Sequence, residues 1–397
     1  MSWPIMSLGD VATFINGDRG KNYPSKGSFV EEGIPFINAG CLSLQHNILT
    51  DELNYISEEK YDLLSSGKVI KGDILFCLRG SLGKFALINS DMKGAIASSL
   101  VIIRANKEVV DLDYLKNYLA STLCEREIRS FENGAAQPNL SAKDLKAFKI
   151  PLPPLAEQKR IAAILDKADA IRQKRQQAIK LADEFLRSVF LEMFGDPVTN
   201  PKGFSVGTIR DIVSTVNYGT SAKASEIDGK FPILRMGNIT YKGGWNFTDL
   251  KYIDLDDKDQ DKYLARKNDL LFNRTNSKEL VGKTAVFNES RPMAIAGYLI
   301  RVRTNELGNP WYISGYLNSS HGKQTLLNMC KSIVGMANIN AQELQNINIL
   351  LPPVELQNEY ESIVKEVNER VSRHHESVKE LQALFNALTQ KAFSGQL

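Results

Sequence analysis

Residues Ile150 to Gly195 read IPLPPLAEQKRIAAILDKADAIRQKRQQAIKLADEFLRSVFLEMFG, and the pattern returns at Ile349 to Leu397 as ILLPPVELQNEYESIVKEVNERVSRHHESVKELQALFNALTQKAFSGQL. At an offset of 199 residues the two match without a gap: Leu152-Pro153-Pro154 falls on Leu351-Pro352-Pro353, Gln158 on Gln357, and Phe194 on Phe393. Consecutive prolines fix φ and bar the residue before them from helical conformation, so a helix can begin only after Pro154 or Pro353. No Pro or Gly then interrupts either copy before Gly195 or Gly395. In the second copy Tyr360, Val364, Val367, Val371, His374, Val378, Leu381, Phe385 and Leu388 alternate spacings of four and three, a heptad seam. The first copy has Ile161, Leu165, Ala168, Arg172, Arg175, Ile179, Ala182, Leu186 and Val189 at the same places. Each copy predicts a helix of roughly 40 residues, about 60 Å long, whose seam needs a partner. Ordinary core helices average only about 12 residues, so the two copies are expected to pair as an antiparallel coiled coil. Arg175 and His374 hold equivalent positions near mid-helix, where a polar seam residue sets register at some cost in stability.

The segments before the two helices form a weaker repeat. Each opens with a short apolar stretch reaching Asn16-Gly17 or Asn217-Tyr218-Gly219. Gly33-Ile34-Pro35-Phe36-Ile37 then matches Lys230-Phe231-Pro232-Ile233-Leu234, and the run Lys71 to Phe76 matches Lys267 to Phe272 as a turn followed by a buried strand. The block Ala95 to Arg104 matches Ala294 to Arg303 at the offset of the helices. Both halves finish on a predicted helix (Leu112 to Phe131; Pro310 to Cys330) and a loop containing Gly134-Ala135-Ala136-Gln137 or Gly335-Met336-Ala337-Asn338. The matched blocks are mainly apolar and the polar loops diverge. One scaffold with two sets of loops suggests two similar ligands read in different detail.

With 397 residues, 43% of them apolar and 24% charged, the chain is long enough for two or three domains with their own cores. No run approaches the roughly 18 apolar residues of a membrane span, and MSWPIMSLGD lacks the regions of a signal peptide. A cytoplasmic protein without membrane association is expected. Cys41, Cys77, Cys124 and Cys330 show no C-x-x-C spacing, and the only histidines are His46, His321, His374 and His375, so neither a disulfide framework nor a metal site is suggested. The net charge of +3 does not by itself announce a nucleic-acid binder. The second half is the more basic: residues 198–348 carry 19 basic and 14 acidic side chains, residues 1–150 carry 17 and 18.

Taken together, the run Ile150-Pro151-Leu152-Pro153-Pro154-Leu155-Ala156-Glu157-Gln158 with its helix, the repeated Leu351-Pro352-Pro353 with Gln357, and the two matched domains resemble the specificity subunit of type I restriction-modification systems. The resemblance spans essentially the whole chain. The second copy departs from the first in reading Val354-Glu355-Leu356-Gln357, without the Glu-Gln pair. The resemblance implies an α+β fold with two globular mixed α/β target-recognition domains, 1–149 and 198–348, separated by two long helices, 150–197 and 349–397, in a pseudo-twofold repeat. It implies a protein with no chemistry of its own and no cofactor. Such a subunit would hold a bipartite double-stranded DNA target, one domain per half, and join two methyltransferase subunits that methylate adenine N6. Restriction and motor subunits would join to cleave unmodified DNA. A coiled-coil scaffold whose globular domains bind proteins is the alternative.

The residues give an enzyme little support. There is no Asp/Asn-Pro-Pro-aromatic element, since Asn309-Pro310-Trp311 has a single proline, and no glycine-rich cofactor loop. Val281-Gly282-Lys283-Thr284 looks like the end of a phosphate-binding loop, but Ser277 stands where the first glycine should be, so a turn between strands is the better reading. The acidic run Asp254 to Asp261 lacks EF-hand spacing and reads as a solvated loop. Base edges are read by side chains on short loops, Arg favouring guanine and Asn or Gln adenine, while Lys mainly secures phosphates. The first domain offers Arg19, Lys21, Asn22, Tyr23 and Lys26, with Arg79 and Lys84 on a second loop. The second domain offers Tyr218, Lys223, Arg235, Asn238 and Lys242, with Asn273, Arg274 and Lys278. These loops follow matched strands and are expected on one rim of each domain.

Overall fold

A computed structural model of the chain describes residues 3–131, 139–333 and 336–397, so the loop residues Gly134, Ala135, Ala136, Gln137 and Gly335 lie outside the described residues. The chain divides into two compact units, residues 1–176 with 376–397 and residues 177–375.

In the first unit a four-stranded antiparallel sheet runs in the order Ala12–Asn16, Leu100–Ala105, Asp73–Cys77, Phe85–Leu87. Its two central strands are apolar on both faces because each face is covered, one by the helices and the other by a three-stranded sheet and its loops. The smaller sheet pairs Ile34–Ile37 with Asn54–Ile56 and, in parallel, with Ala95–Ile96. The second unit repeats the plan with Val213–Tyr218, Leu299–Thr304, Leu270–Asn273 and Thr284–Val286. Glycine is required where the first strand ends. A Cβ on Gly17 would lie 2.7 Å from the carbonyl oxygens of Ile96 and Ala97, and one on Gly219 would lie 2.3 Å from those of Ile295 and Ala296.

Each sheet carries an ion pair of a buried aspartate with a part-exposed arginine at matched positions. Arg104 donates to both Asp73 carboxylate oxygens at 2.8 and 2.9 Å, and Arg303 donates to Asp269 at 2.8 and 3.3 Å. Only the second unit adds a further guanidinium. Leu75 faces Ile102 in the first sheet, whereas Leu271 faces Arg301 in the second. Arg301 is 2% exposed, donates to the carbonyls of Asp261 and Leu264 at 2.8 and 2.6 Å, and lies 3.8 Å from Asp269.

The first long helix spans Leu155–Phe194 and stops at Gly195, whose φ is +77°; the second spans Val354–Ser394 and stops at Gly395, φ +76°. Within the first unit the start of the first helix (Ile161, Ala162, Leu165) shares a core with the end of the second (Ala392, Phe393). Phe393 packs on Tyr114 and Tyr118 at ring distances of 5.2 and 5.9 Å, and the Trp3 indole N–H donates to the Ala392 carbonyl at 3.2 Å. Within the second unit the end of the first helix (Val189, Phe190, Phe194) meets the start of the second (Tyr360, Val364), with Phe194 4.6 Å from Tyr312 and 5.5 Å from Tyr360. The helices are therefore antiparallel in each unit. Phe194 and Phe393, matched in sequence, do the same work, each buried side chain contributing about 1.5 to 3 kcal/mol.

The glutamine of the Pro-Pro-x-x-x-Gln motif explains itself here. Gln158 accepts from the Asp111 N–H at 2.8 Å and donates to the carbonyls of Val109 and Pro153 at 3.1 and 2.8 Å. Gln357 accepts from the Asn309 N–H at 2.9 Å and donates to Leu307 and Pro352 at 3.0 and 2.9 Å. Asp111 and Asn309 are the N-caps of Leu112–Leu119 and Pro310–Asn318, so one buried amide ties each long helix to the helix beside it. Tyrosine hydroxyls complete the joint: Tyr114 and Tyr118 donate to Pro151 and Lys149, Tyr312 and Tyr316 to Leu350 and Asn348.

The single helices expected at Leu112 to Phe131 and Pro310 to Cys330 are each broken in two. The second pieces are Thr122–Ser130 and Ser320–Met329. Ser121 and Ser319 leave helical conformation, cap the second piece through Oγ, and donate back to Tyr118 and Tyr316 at 2.6 Å. Serine competes for its own backbone in this way, which sequence periodicity does not register.

The seam is buried at its ends and half-exposed toward mid-helix. Ile161 and Leu165 are fully buried and Val364 nearly so. Ala168, Ile179, Leu186, Val367, Val371, His374, Val378, Leu381 and Phe385 are half-buried, and Arg175 is exposed. Arg172 crosses the seam within the first unit, donating to Asp169 and to Gln382 at 2.9 Å and lying 5.6 Å over the Phe385 ring.

Candidate nucleic-acid interface

In the first unit the strand ending at Asn16 and the strand ending at Cys77 deliver their following loops to one small cleft. Arg19 and Arg79 share it, in about 170 Å³ bounded by Asn16, Asn139 and Ser141. Both arginines are exposed; the Arg19 guanidinium donates weakly to the Ser98 carbonyl at 3.5 Å, and the Arg79 backbone forms an antiparallel β-bridge with Asn139. Buried Asp18 holds the loop in place by accepting from the N–H groups of Gly20 and Ser65 and the Ser65 hydroxyl, at 2.6, 2.8 and 2.8 Å. Those backbone donors, Gly20 first, keep its carboxyl below the usual carboxylate range. Lys21 is exposed. Asn22 donates to Leu63 at 3.0 Å, and the Tyr23 hydroxyl accepts from Ser98 N–H at 3.4 Å. Lys84 is half-buried, and Lys26 opens the turn Lys26–Ser28 with its side chain outside the described residues.

In the second unit the corresponding loops surround a much larger concavity of about 1000 Å³. Arg235, Asn238 and Arg274 line it. Arg235 donates to Asp249 at 2.8 Å, and buried Asn238 braces the turn by accepting from the Arg235 N–H and donating to the Asn246 carbonyl. The Arg274 guanidinium lies 4.7 Å over the Tyr218 ring. The Nε atoms of Arg235 and Arg274 are buried and meet no acceptor among the described residues. The remaining positions lie elsewhere. Asn273 is fully buried with its amide 3.4 Å from the Leu280 carbonyl, Lys223 and Lys278 are exposed, and Lys242 pairs with Asp183 on the first long helix.

Lys283, read in the sequence as part of a turn, is the residue that reasoning missed. Gly282 does make the turn, with φ +79°. Lys283 lines the cavity, is 7% exposed, and donates to the Met236 carbonyl at 2.7 Å. Burial pushes its ammonium below the usual lysine range. Lys323, on the helix Ser320–Met329, is pushed down to about 8 by burial and then by the positive charge of Lys283. The available signal was a lone lysine inside the otherwise buried run Val281 to Phe287. Among the described residues no group of three His, Cys, Asp or Glu could hold a metal, and no helix is long and apolar enough to cross a membrane.

Comparison with known proteins gives a consistent result. The family model for the type I restriction modification DNA specificity domain matches twice, over residues 2–181 and 201–383. The EcoKI specificity subunit of Escherichia coli is 24% identical over the whole of this chain and 89% of its own length. The StySPI specificity subunit of Salmonella potsdam is 22% identical with the same coverage. A type I restriction-modification S subunit from M. genitalium shares the fold, with a TM-score of 0.59 at 16% identity over 99% of this chain and 96% of that one. So does a chain solved in work on assembly and conformational transition of the type I R-M system, TM-score 0.57 at 20% identity, covering 100% and 98%.

Proposed function

The chain belongs to the type I restriction-modification DNA specificity family, with two target-recognition domains, and from that premise we propose that it reads a bipartite DNA sequence, one half-site per unit, for an adenine-N6 methyltransferase and its restriction and motor partners. The observation that carries this reading is the convergence of two loop arginines on one cavity in each unit, Arg19 with Arg79 and Arg235 with Arg274. Arginine clusters on loops suit phosphates and guanine edges, and the chain itself would be non-catalytic. The two sites differ in side chains and size while their sheets match, as two readers of different half-sites require. The test is modularity. Replacing residues 1–149 by the matching segment of another family member, with methylated adenines mapped in cells that also express the methyltransferase, should change one half of the modified sequence and leave the other. Separately cored units contribute nearly additively. A change in both halves would argue against independent readers.

The helices support a role in recruiting partners. Phe185 on the first and Leu384 on the second occupy matched positions and are 52% and 63% exposed, and Leu181, one turn before Phe185, is 51% exposed. Apolar side chains standing in solvent at equivalent points suit two copies of one partner. Phe185→Asp or Leu384→Asp is expected to weaken one of two methyltransferase contacts by about 10-fold or more. Sedimentation of the assembled complex should then show one methyltransferase subunit in place of two; full occupancy with both variants would remove these residues from the docking face.

A further inference from the structure

The large cavity of the second unit is a departure from the repeated scaffold, and its origin is visible in the residues. The first unit has Phe36 where the second has Ile233. Tyr23 packs edge-on to Phe36 at 5.7 Å, with Phe29 at 6.0 Å, and the Tyr23 hydroxyl meets the Ser98 N–H. Ser98 matches Gly297, which lines the cavity together with Ala222, Ala224 and Ile233. Aromatic side chains thus fill in one unit a space that small ones leave open in the other.

The open space has a definite chemistry. Lys283 is buried there with no carboxylate within ion-pair distance among the described residues, its one hydrogen bond going to a carbonyl. A buried ammonium without a counter-charge is costly, and an anion entering the cavity would relieve it. Arg274 adds a second cation whose neighbour is the Tyr218 ring rather than a carboxylate, with Nε unsatisfied. Tyr298, Met236 and Leu280 supply an apolar rim, 53%, 37% and 39% exposed. Cations in the depth and an aromatic with aliphatics at the mouth suit a ligand with an anionic end and a flat apolar face. A duplex groove presents its base edges to projecting side chains and has no part that fills a concavity of about 1000 Å³. A nucleotide rotated out of the stack does.

We propose that this cavity receives one nucleotide everted from the DNA duplex, its phosphate on Lys283 and Arg274 and its base against Tyr298, Met236 and Leu280. The proposal rests on the DNA-reading function above and adds to it that the second unit recognises one position of its half-site by extracting it. The first unit, its equivalent space filled by Tyr23, reads without eversion.

The test uses the full chain without a methyltransferase subunit, because methyltransferases themselves evert bases. The probe is a duplex selected by the chain from a random library, with single mismatches introduced along both strands. Unpairing is the cost of eversion, so a mismatch opposite the everted nucleotide should tighten binding by on the order of 10-fold. All other mismatches should weaken it or leave it unchanged. The tightening should fall in the half-site assigned to residues 198–348, and Lys283→Met and Tyr298→Ala should abolish it while preference at the other half-site persists. Lys283→Met keeps the volume and removes the buried charge while leaving the Met236 carbonyl without its donor, and thermal melting of the variant beside wild type reports that it is folded before binding is compared. Sequence-selective binding in which no mismatch tightens would overturn the eversion and leave the reading function standing; loss of sequence selectivity altogether would overturn both. Binding of free deoxynucleoside monophosphates, displacing no DNA, would mark a site for a free nucleotide and also overturn the proposal.

Discussion

Gln357→Leu is expected to destabilise the second unit by about 3 to 6 kcal/mol, the cost of three backbone groups left unsatisfied at about 1 to 3 kcal/mol each, discounted for partial relaxation. The groups are the Asn309 N–H and the carbonyls of Leu307 and Pro352. Leucine is near in size, so little of the effect comes from a cavity. Gln357→Glu should be worse, because a carboxylate cannot donate to either carbonyl and its charge would be buried at a fully buried position. Denaturation with urea, followed by fluorescence, separates the units: Trp245 and Trp311 belong to the second and Trp3 to the first. The midpoint reported by the second unit should fall while the first unit's core remains, and Gln158→Leu should do the reverse. Equal midpoints in wild type and variant would mean that the buried amide does not hold the joint.

The second large effect is unequal between the two copies. Asp269→Ala should cost about 3 to 5 kcal/mol, because it leaves Arg301 buried beside Arg303 with their shared carboxylate gone. Each aspartate also accepts from a turn N–H, Asp269 from Arg266 at 2.9 Å and Asp73 from Ile70 at 2.8 Å, so that loss is common to Asp269→Ala and Asp73→Ala. Asp73→Ala should cost less, about 1 to 3 kcal/mol. Its partner Arg104 has a side chain 34% exposed and can turn to water, and the place of Arg301 is taken by Ile102. A double variant, Asp269→Ala with Arg301→Ile, should recover part of the loss by removing the stranded guanidinium, which leaves the second unit equivalent to Asp73→Ala in the first. Similar losses for Asp73→Ala and Asp269→Ala would show that the second guanidinium is satisfied by the carbonyls of Asp261 and Leu264 alone.

Much of the candidate site was legible at the level of loops and little at the level of side chains. Arg19 and Arg79 line one cleft, and Arg235, Asn238 and Arg274 another; in each sheet the strand that leads to Arg79 or Arg274 runs antiparallel to the same central strand as the first strand does, so their following loops leave at one end of the sheet. Lys242 and Asn238 have loop-like sequences around them, yet one is engaged by Asp183 and the other by its own turn. Lys283 carried a turn signal and no sign of burial, since its environment is made by residues tens of positions away.

By itself the sequence determined the features that depend on local stiffness and on repetition. Proline pairs start the long helices at Leu155 and Val354, glycines in left-handed conformation end them, and two copies of a block pattern define two copies of a sheet. Those outcomes follow from φ restriction and side-chain period, which act within a few residues. The tertiary structure alone decided which helix end closes which core: Phe393 packs on Tyr114 and Phe194 on Tyr312, so each unit contains the start of one long helix and the end of the other. It also decided that Gln158 and Gln357 are buried staples, that Ser121 and Ser319 break a helix, and that Ile233 and Gly297 open a cavity where Phe36 and Tyr23 fill one. Packing and the satisfaction of buried polar groups are properties of partners brought together from distant positions, and a linear pattern holds no record of which partner arrives.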